Sequence, residues 1–229
     1  DWSEVGGEKI PVLVYGVTLR DDVTRFAYDV PAASVERPAA DADRPGLTHI
    51  AAAAAGETVP AIVSDSKYGF RGMARDELRG ESARMQCTLI NAAVNPDPYP
   101  ERGIHDVALC LGYFAADPAE RKRQAIAAFA PAVYVSASRH TGSLAPAGTL
   151  LDVDAGDAVI TAMWEEDGAI HIRAYAPERD AVLRVRLPEG YGGAAIVDTM
   201  GVEVCPCALE DGCAVCGIPA RALRTLRVQ

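Results

Sequence analysis

The sequence predicts an all-β protein, an antiparallel β-sandwich of the supersandwich kind with one short helix. Several segments alternate between apolar and polar residues, which is the two-residue period of half-buried strands. The 20 glycines and 15 prolines interrupt the chain at intervals of roughly 8–12 residues, as they do in sandwich folds. Only one segment carries the start signals of a helix. With 49% hydrophobic and 24% charged residues, the composition is that of a globular protein.

The first strands are predicted near the N-terminal end of the sequence. Residues 10–17 form a short apolar run rich in β-branched side chains, and residues 23–30 alternate with period two. Residues 35–46 contain two prolines and five charged residues without any periodicity. We therefore expect two strands followed by a linker.

The clearest strand pattern lies later in the chain. Residues 158–164 form an apolar strand segment, and residues 169–175 and 182–187 alternate with period two. Short turns join the three segments, the first at Asp167-Gly168. Three consecutive strand segments with short turns predict an antiparallel meander within one sheet. In that arrangement the alternation places three arginines in water: Arg173, Arg184 and Arg186.

The helix is predicted between Asp117 and Ala130. Asp117 suits the N-cap, Pro118 the first helical position and Glu120 the third position after the cap. Good helix formers follow, and Pro131 stops the helix.

The charge balance excludes several classes of function. The sequence has 22 basic and 32 acidic side chains, for a net charge of −10, so it lacks the basic face of a nucleic-acid binder. It has no apolar run of about 18 residues that could span a membrane, and no signal peptide is visible. Because it opens on Asp1 without a methionine, we expect a piece of a longer polypeptide. Six cysteines without a signal segment favour a reducing, cytoplasmic location.

Four cysteines lie close together near the C-terminal end: Cys205, Cys207, Cys213 and Cys216. Two close pairs of thiols resemble half of a tetrahedral zinc site. The alternative is a β-hairpin whose turn lies at residues 210–212. In that hairpin Cys205 and Cys207 share a face, whereas Cys213 and Cys216 point to opposite faces, which disfavours four-ligand binding. We favour no metal and expect reduced thiols, with zinc or a disulfide as the alternatives.

No motif of the common hydrolases or nucleotide-binding enzymes is present, neither a Gly-x-Ser-x-Gly elbow nor a phosphate loop nor a dinucleotide fingerprint. Glycoside hydrolysis needs two carboxylates that face each other about 5–10 Å apart. Four carboxylates flank turns in the middle of the chain, and we expect them to be solvated turn residues. They are Asp65, Asp97, Glu101 and Asp106.

Several short motifs nevertheless follow one another in a recognisable order. Residues 63–70 read Val-Ser-Asp-Ser-Lys-Tyr-Gly-Phe, residues 89–98 read Leu-Ile-Asn-Ala-Ala-Val-Asn-Pro-Asp-Pro, and Gly-Ile-His follows at 103–105. Together they resemble the C-terminal β region of the α-mannosidases of glycoside hydrolase family 38. There the pattern runs Asn-Asp-x-Lys-Tyr-Gly, Leu-Leu-Arg-Ser-Pro-x-x-Pro-Asp, Gly-x-His. The resemblance extends to the opening Asp-Trp-x-Glu, to Val-Glu-Arg-Pro at 35–38 and to Arg-Thr-Leu-Arg at 224–227.

The resemblance implies an accessory role for this chain. In that family the nucleophile, the acid/base residue and the zinc ligands lie in an N-terminal α/β barrel, which a helical domain and then β-sandwich domains follow. Only the last portion is represented here. We therefore expect no catalytic residue and no cofactor in this chain, with zinc in a parent enzyme that hydrolyses terminal α-D-mannosides with retention. The expected partners are the missing barrel and helical domain and a mannose-containing saccharide.

The resemblance also implies candidate residues for the substrate cleft. They are Asp65, Lys67, Tyr68, Asn91, Asp97 and His105. Asn91 stands where the family has an arginine, which puts the sugar contacts of this region and the specificity in question. We expect the loops at 65–70 and 91–105 to lie together at one edge of the sandwich. An apolar patch beside them would dock the missing domains, or a second copy of the chain in a homo-oligomer.

The domain division and two other functions stay open at this stage. Residues 1–229 form one β region, or two packed β subdomains of about 1–135 and 136–229. A free-standing, non-catalytic carbohydrate-binding β-sandwich is the first alternative function, and a cysteine-rich metal-binding module is the second.

Overall fold

The chain divides into two compact units, Asp1–Phe129 and Ala130–Gln229. The computed structural model describes residues 12–20, 22–76, 78, 80–93, 101–138, 141–143, 147–149 and 151–229. Within these residues the secondary structure is antiparallel strands and one helix, so the all-β prediction is confirmed. In the same residues, no helix is both long and apolar enough to cross a membrane.

The first unit is a sandwich of two sheets. One sheet has the order β1-β8-β7-β4 and the other has the order β3-β2-β5-β6-β9. The strands are β1 (Val12–Thr18), β2 (Arg25–Val30), β3 (Ala33–Pro38), β4 (Arg44–Pro45), β5 (His49–Ala52), β6 (Thr58–Ser64), β7 (Gly69–Met73), β8 (Arg84–Asn91) and β9 (Leu109–Ala115). Residues 35–46, predicted as a linker, instead contain most of β3 and all of β4. Backbone pairing with neighbouring strands there outweighs the weak local preference of a charged, proline-containing segment for irregular structure.

The core of the first unit lies between its two sheets. Phe26 and Ile50 come from one sheet, whereas Phe70 and Met85 come from the other, and all four are buried in one cluster. The two sheets approach so closely at Gly72 that a Cβ atom there would lie 2.3 Å from the Phe26 ring. Glycine at position 72 is therefore a packing requirement.

Helix α1 (Pro118–Phe129) covers the other face of the second sheet. Its start is the predicted one, because the amide of Glu120 donates to the Asp117 carboxylate at 2.9 Å. Ala125 and Phe129 pack with Val59 and Val63. The sequence prediction of this helix is confirmed.

The second unit is also a sandwich of two sheets, in the orders β10-β13-β17-β16 and β11-β12-β18-β14-β15. The strands are β10 (Val153–Asp154), β11 (Val159–Glu166), β12 (Ala169–Tyr175), β13 (Ala181–Arg186), β14 (Ala194–Val197), β15 (Glu203–Pro206), β16 (Ala208–Glu210), β17 (Cys213–Ile218) and β18 (Leu223–Val228). Its core combines Ile172 and Leu226 from one sheet with Leu183 and Ile218 from the other.

The predicted meander is correct for two strands and wrong for the third. β11 and β12 form the expected hairpin through Asp167 and Gly168, which both have positive φ. However, β18 pairs with β12, and β13 lies in the opposite sheet. A period-two pattern shows which face of a strand is buried, but it does not show which sheet contains the strand.

The three arginines predicted in water have different surroundings. Arg184 and Arg186 are exposed and pair with Glu210 and Asp152. Arg173 instead lies over the Trp164 ring, 5.1 Å from its centroid, and donates to Thr225.

Candidate functional site

A cavity of about 330 Å³ lies at one edge of the first unit. It is formed by β4, the loop before β7, the end of β8 and Glu101. We call it the Tyr68 groove. Its lining residues are Asp43, Arg44, Pro45, Ser66, Lys67, Tyr68, Gly69, Thr88, Leu89, Asn91 and Glu101.

The groove brings together three of the six predicted cleft residues, Lys67, Tyr68 and Asn91. The loop before β7 is folded by Ser64, whose hydroxyl accepts hydrogen bonds from the amides of Ser66 and Lys67 at 3.3 and 3.0 Å. The Tyr68 side chain that follows is 73% exposed. Asn91 ends β8 and is exposed. The loop before β7 and the end of β8 thus present an aromatic ring, an ammonium and an amide to one cavity.

The other three predicted residues are placed differently. Asp65 is exposed and does not line the groove. His105 does not line it either, but its Nε2 lies 2.9 Å from the carbonyl oxygen of Glu101, and its Nδ1 lies 3.8 Å from the Glu101 carboxylate. His105 therefore contacts a lining residue without lining the groove itself. Asp97 lies outside the described residues.

Asp43 is a lining residue that the sequence analysis did not single out. Its carboxylate accepts one hydrogen bond from Arg71 Nε at 3.0 Å and another from the Thr88 hydroxyl at 2.7 Å. These partners hold the carboxylate in place. Gly69 leaves room beside it, because a Cβ atom there would lie 3.3 Å from Thr88. Asp43 lies in the segment predicted as a linker, which is why no pattern pointed to it.

Arg44 adds a second cation to the groove. Its Nε is buried and has no hydrogen-bond partner among the described residues. It lies near the buried Tyr28. Burial raises the pKa of Tyr28, and the charges of Arg44 and Arg37 partly oppose this shift. The groove therefore combines two cations, two carboxylates, hydroxyls, an amide and an exposed ring. Such a set can both donate to and accept from the hydroxyls of a polar ligand.

A second polar cluster lies beneath α1, and the sequence analysis missed it. Lys122 Nζ donates to Asp29 at 2.6 Å and to the Thr48 hydroxyl at 2.9 Å. Arg121 Nε donates to His49 Nε2 at 3.1 Å, and His49 Nδ1 lies 3.6 Å from Asp29. The four ionisable side chains are buried. Lys122 lies on the covered face of α1 together with Ala119 and Ala125, three residues to either side. This spacing is the sequence signal that could have indicated a buried Lys122.

Electrostatics in this cluster favour a charged Asp29 and a neutral His49. Burial alone would raise the pKa of Asp29. The neighbouring His49, the Lys122 ammonium and hydrogen bonds from Lys122 and the Thr48 amide outweigh burial and lower it. Burial lowers the pKa of His49 to about 4; Asp29 opposes this shift, and the charges of Arg121 and Lys122 support it. The cluster joins α1 to β2 and β5, and it does not line the groove.

The four clustered cysteines belong to two sheets of the second unit. Cys205 is exposed on β15, Cys207 follows at the crossing to β16, and Cys213 and Cys216 lie on β17. The predicted turn is present, with positive φ at Asp211 and Gly212. The prediction that one hairpin strand contains both Cys205 and Cys207 is wrong, because the chain changes sheet between them. Within the described part of the chain, no group of three or more His, Cys, Asp or Glu residues is arranged to hold a metal ion.

Of three comparisons with known proteins, one finds a similarity. No protein-family profile matches the sequence. No curated protein matches it either. Among solved structures, the chain is similar to a crystal structure of a protein in glycosyl hydrolase family 38 from Enterococcus faecalis, with a TM-score of 0.68 and 16% sequence identity. The similarity covers 94% of this chain and 26% of that chain, so the present chain spans about a quarter of that protein's length.

At this identity, the similarity shows the fold. The chain folds as part of a family 38 glycosyl hydrolase does, and the resemblance drawn from the short motifs is confirmed at that level.

Proposed function

We propose that this chain is the accessory C-terminal β region of a family 38 α-mannosidase, and that the Tyr68 groove forms one wall of the saccharide cleft. The parent enzyme would hydrolyse terminal α-D-mannosides with retention. Its catalytic barrel and helical domain are the proposed partners. The supporting observation for this context is a fold similarity that covers nearly all of this chain but only 26% of its relative.

The composition of the groove is the observation that carries the proposal. A pyranose has hydroxyls that both donate and accept hydrogen bonds, and it also has an apolar face of C–H groups. Tyr68 supplies an exposed ring for that face, whereas Lys67, Asn91 and the two carboxylates supply hydrogen-bonding groups. The cavity volume is at the lower end of ligand sites, as a single wall of a larger cleft would be.

Zinc chemistry is assigned to the parent and not to this chain. The zinc would be held by the catalytic barrel, as the family resemblance implies. The role left to this chain is to position the saccharide. Lys67 and Asn91 would donate to sugar oxygens, and Asp43, already held by Arg71 and Thr88, would accept from a sugar hydroxyl.

The decisive experiment uses the parent protein with an aryl α-mannoside. Tyr68→Ala is expected to raise KM by about 3–10-fold, because one ring–sugar contact is lost. The matched control is Tyr113→Ala. Tyr113 is 76% exposed, nearly the same as Tyr68, but it does not line the groove. Equal effects of the two variants would contradict the proposal.

Asn91→Arg tests the specificity expected from the family resemblance. It places an arginine where the family has one, and we expect it to change KM for mannosides while the stability of the chain stays the same. The isolated chain, in contrast, should not hydrolyse the substrate. Turnover by the pure chain that Asp65→Asn abolishes would show that the chain itself contains catalytic residues.

A free-standing carbohydrate-binding module is the second candidate, and the exposed Tyr68 ring is the observation that favours it. Such a module binds sugar without other domains. Calorimetric titration of the isolated chain with methyl α-D-mannoside separates the two functions. Tight binding that Tyr68→Ala removes favours the module, whereas binding that requires the parent favours the cleft wall.

A further inference from the structure

Cys207 and Cys216 are cross-strand neighbours in the second unit. β16 and β17 pair with Ala208 opposite Val215 and Glu210 opposite Cys213, so the same register places Cys207 opposite Cys216. The turn between them has two residues with positive φ, Asp211 and Gly212. In such a hairpin the pair next to the turn is hydrogen-bonded and the pairs then alternate. The position of Cys207 and Cys216 is therefore a non-hydrogen-bonded one.

The backbone of Cys207 agrees with this position. Its amide donates to the carbonyl of Ala194 at 2.9 Å instead of to β17. At non-hydrogen-bonded positions the two Cα atoms lie about 4.5 Å apart, which is within the range of about 4.4–6.8 Å that disulfide bonds span. Each thiol also affects the pKa of the other, and Cys207 packs against the core cluster that contains Cys216. The strand register and the shared packing thus place the two cysteines side by side.

The three thiols differ in their access to solvent. Cys205 is exposed, Cys207 is half-buried and Cys216 is 1% exposed. Burial raises the pKa of Cys207 to about 12 and also raises that of Cys216, so both are weak nucleophiles while protonated. Cys205 lies close enough to influence both of these pKa values. It is therefore the thiol that a solvent-borne reagent meets first.

We propose that Cys207 and Cys216 form a reversible disulfide bond. The oxidant is a low-molecular-weight disulfide, and Cys205 is the thiol that reacts with it first. The Cys205 thiolate attacks one sulfur of the reagent and releases one small thiol. Cys207 then attacks the Cys205 sulfur and releases the second small thiol. Finally, Cys216 attacks the Cys207 sulfur and releases Cys205 as a free thiol. In total, two protein thiols lose two hydrogens, and one small disulfide becomes two thiols.

The disulfide bond would constrain the chain at Cys207, the point where it passes from one sheet to the other. β15 belongs to the sheet with β14, whereas β16 belongs to the sheet with β17. A bond from Cys207 to Cys216 closes a short loop around the turn at Asp211. We expect oxidation to raise the melting temperature of the second unit by roughly 10–15 °C, because closing so short a loop contributes about 2.7 kcal/mol.

The test is incubation of the whole chain with excess oxidised glutathione at about pH 8. Trypsin releases residues 187–221 as one peptide, which contains all four clustered cysteines. We expect this peptide to lose the mass of two hydrogen atoms, and fragmentation after alkylation of the free thiols to place the bond between Cys207 and Cys216. A reducing thiol should reverse the change.

Three variants complete the test. Cys216→Ala should abolish the bond. Cys213→Ser is the matched control on the same strand and should leave the bond intact. Cys205→Ser should slow the reaction several-fold without changing the product. A bond between another pair, persistent mixed disulfides on wild-type protein, or an equal loss in the Cys213→Ser variant would overturn the proposal, and an unchanged rate in Cys205→Ser would overturn the role of Cys205.

Discussion

Replacement of Lys122 by methionine is the sharpest test of how the first unit is held together. Lys122 and Asp29 form an ion pair of 2.6 Å, and their side chains are only 8% and 3% exposed. Lys122→Met keeps the aliphatic stem and removes the ammonium, which leaves the carboxylate of Asp29 buried without its cation. Removing one partner of a buried pair typically costs about 3–5 kcal/mol.

The remaining contacts of Asp29 set the expected value. The amides of Thr48 and His49 still donate to the carboxylate at 2.9–3.0 Å, and the Thr48 hydroxyl donates at 2.7 Å. Because these donors continue to stabilise the charge, we expect the lower end of the range, about 3 kcal/mol. That free energy corresponds to roughly a hundredfold increase in the population of the unfolded unit.

Hydrogen exchange measured by mass spectrometry is the appropriate assay, because it reports on each unit separately. Peptides from β2, β5 and α1 should exchange roughly a hundredfold faster in Lys122→Met, whereas peptides from β12 and β17 should not change. Arg123→Met is the matched control one residue away. Arg123 forms an exposed pair with Glu120 at 2.9 Å, so its loss should cost only about 0–1 kcal/mol.

Two outcomes would refute this reasoning. The first is an equal effect of Lys122→Met and Arg123→Met. The second is strict additivity in the double variant Asp29→Asn with Lys122→Met, because a buried ion pair requires the double loss to be smaller than the sum of the single losses.

Three further predictions concern pH, packing and the groove. The pKa of His49 is about 4 in the folded state, against an ordinary value of 6.5. As the pH falls, the unfolded state therefore binds the proton first, and the first unit should lose about 2–3 kcal/mol of its free energy of unfolding between about pH 6.5 and pH 4. The lowered pKa of Asp29 adds to that loss of stability at still lower pH. In the His49→Gln variant, the urea concentration at the midpoint of unfolding should change less between pH 6.5 and pH 4 than it does in the wild-type protein. Gly72→Ala should cost about 1–3 kcal/mol because its Cβ would overlap Phe26, whereas Gly192→Ala, with open space around it, should be nearly neutral in urea denaturation. Crystals of the parent protein soaked with mannose should show the sugar ring against Tyr68, and a sugar bound only elsewhere would contradict the assignment of the groove.

The parts of the fold that the sequence predicted are those with local causes. The helix follows from Asp117 and Pro118 at its start, and the β11–β12 hairpin follows from the Asp167-Gly168 turn. The position of β13 was mispredicted because its alternation fits either sheet. Which sheet a strand joins depends on how it packs in the core that the two sheets share, and no short segment of sequence encodes that packing.

The candidate site shows the same division. Lys67, Tyr68 and Asn91 were named through motifs, and the structure brings them to one cavity. Asp43 and Arg44 were missed because their segment has neither periodicity nor a motif. The buried pair of Asp29 and Lys122 was missed because 93 residues separate its members, and each charged side chain by itself reads as solvated.

That separation has a consequence for biosynthesis. β2 leaves the ribosome 93 residues before Lys122 does. At translation rates of about 5–20 residues per second, roughly 5–20 s pass between the synthesis of Asp29 and the synthesis of Lys122. During that interval the nascent chain can pair β2 with β3 and β5, but closing the sheet over Asp29 would bury an unpaired charge. The arrival of α1 therefore completes the first unit, and a ribosome stalled shortly before the codon for Lys122 should display a protease-sensitive β2.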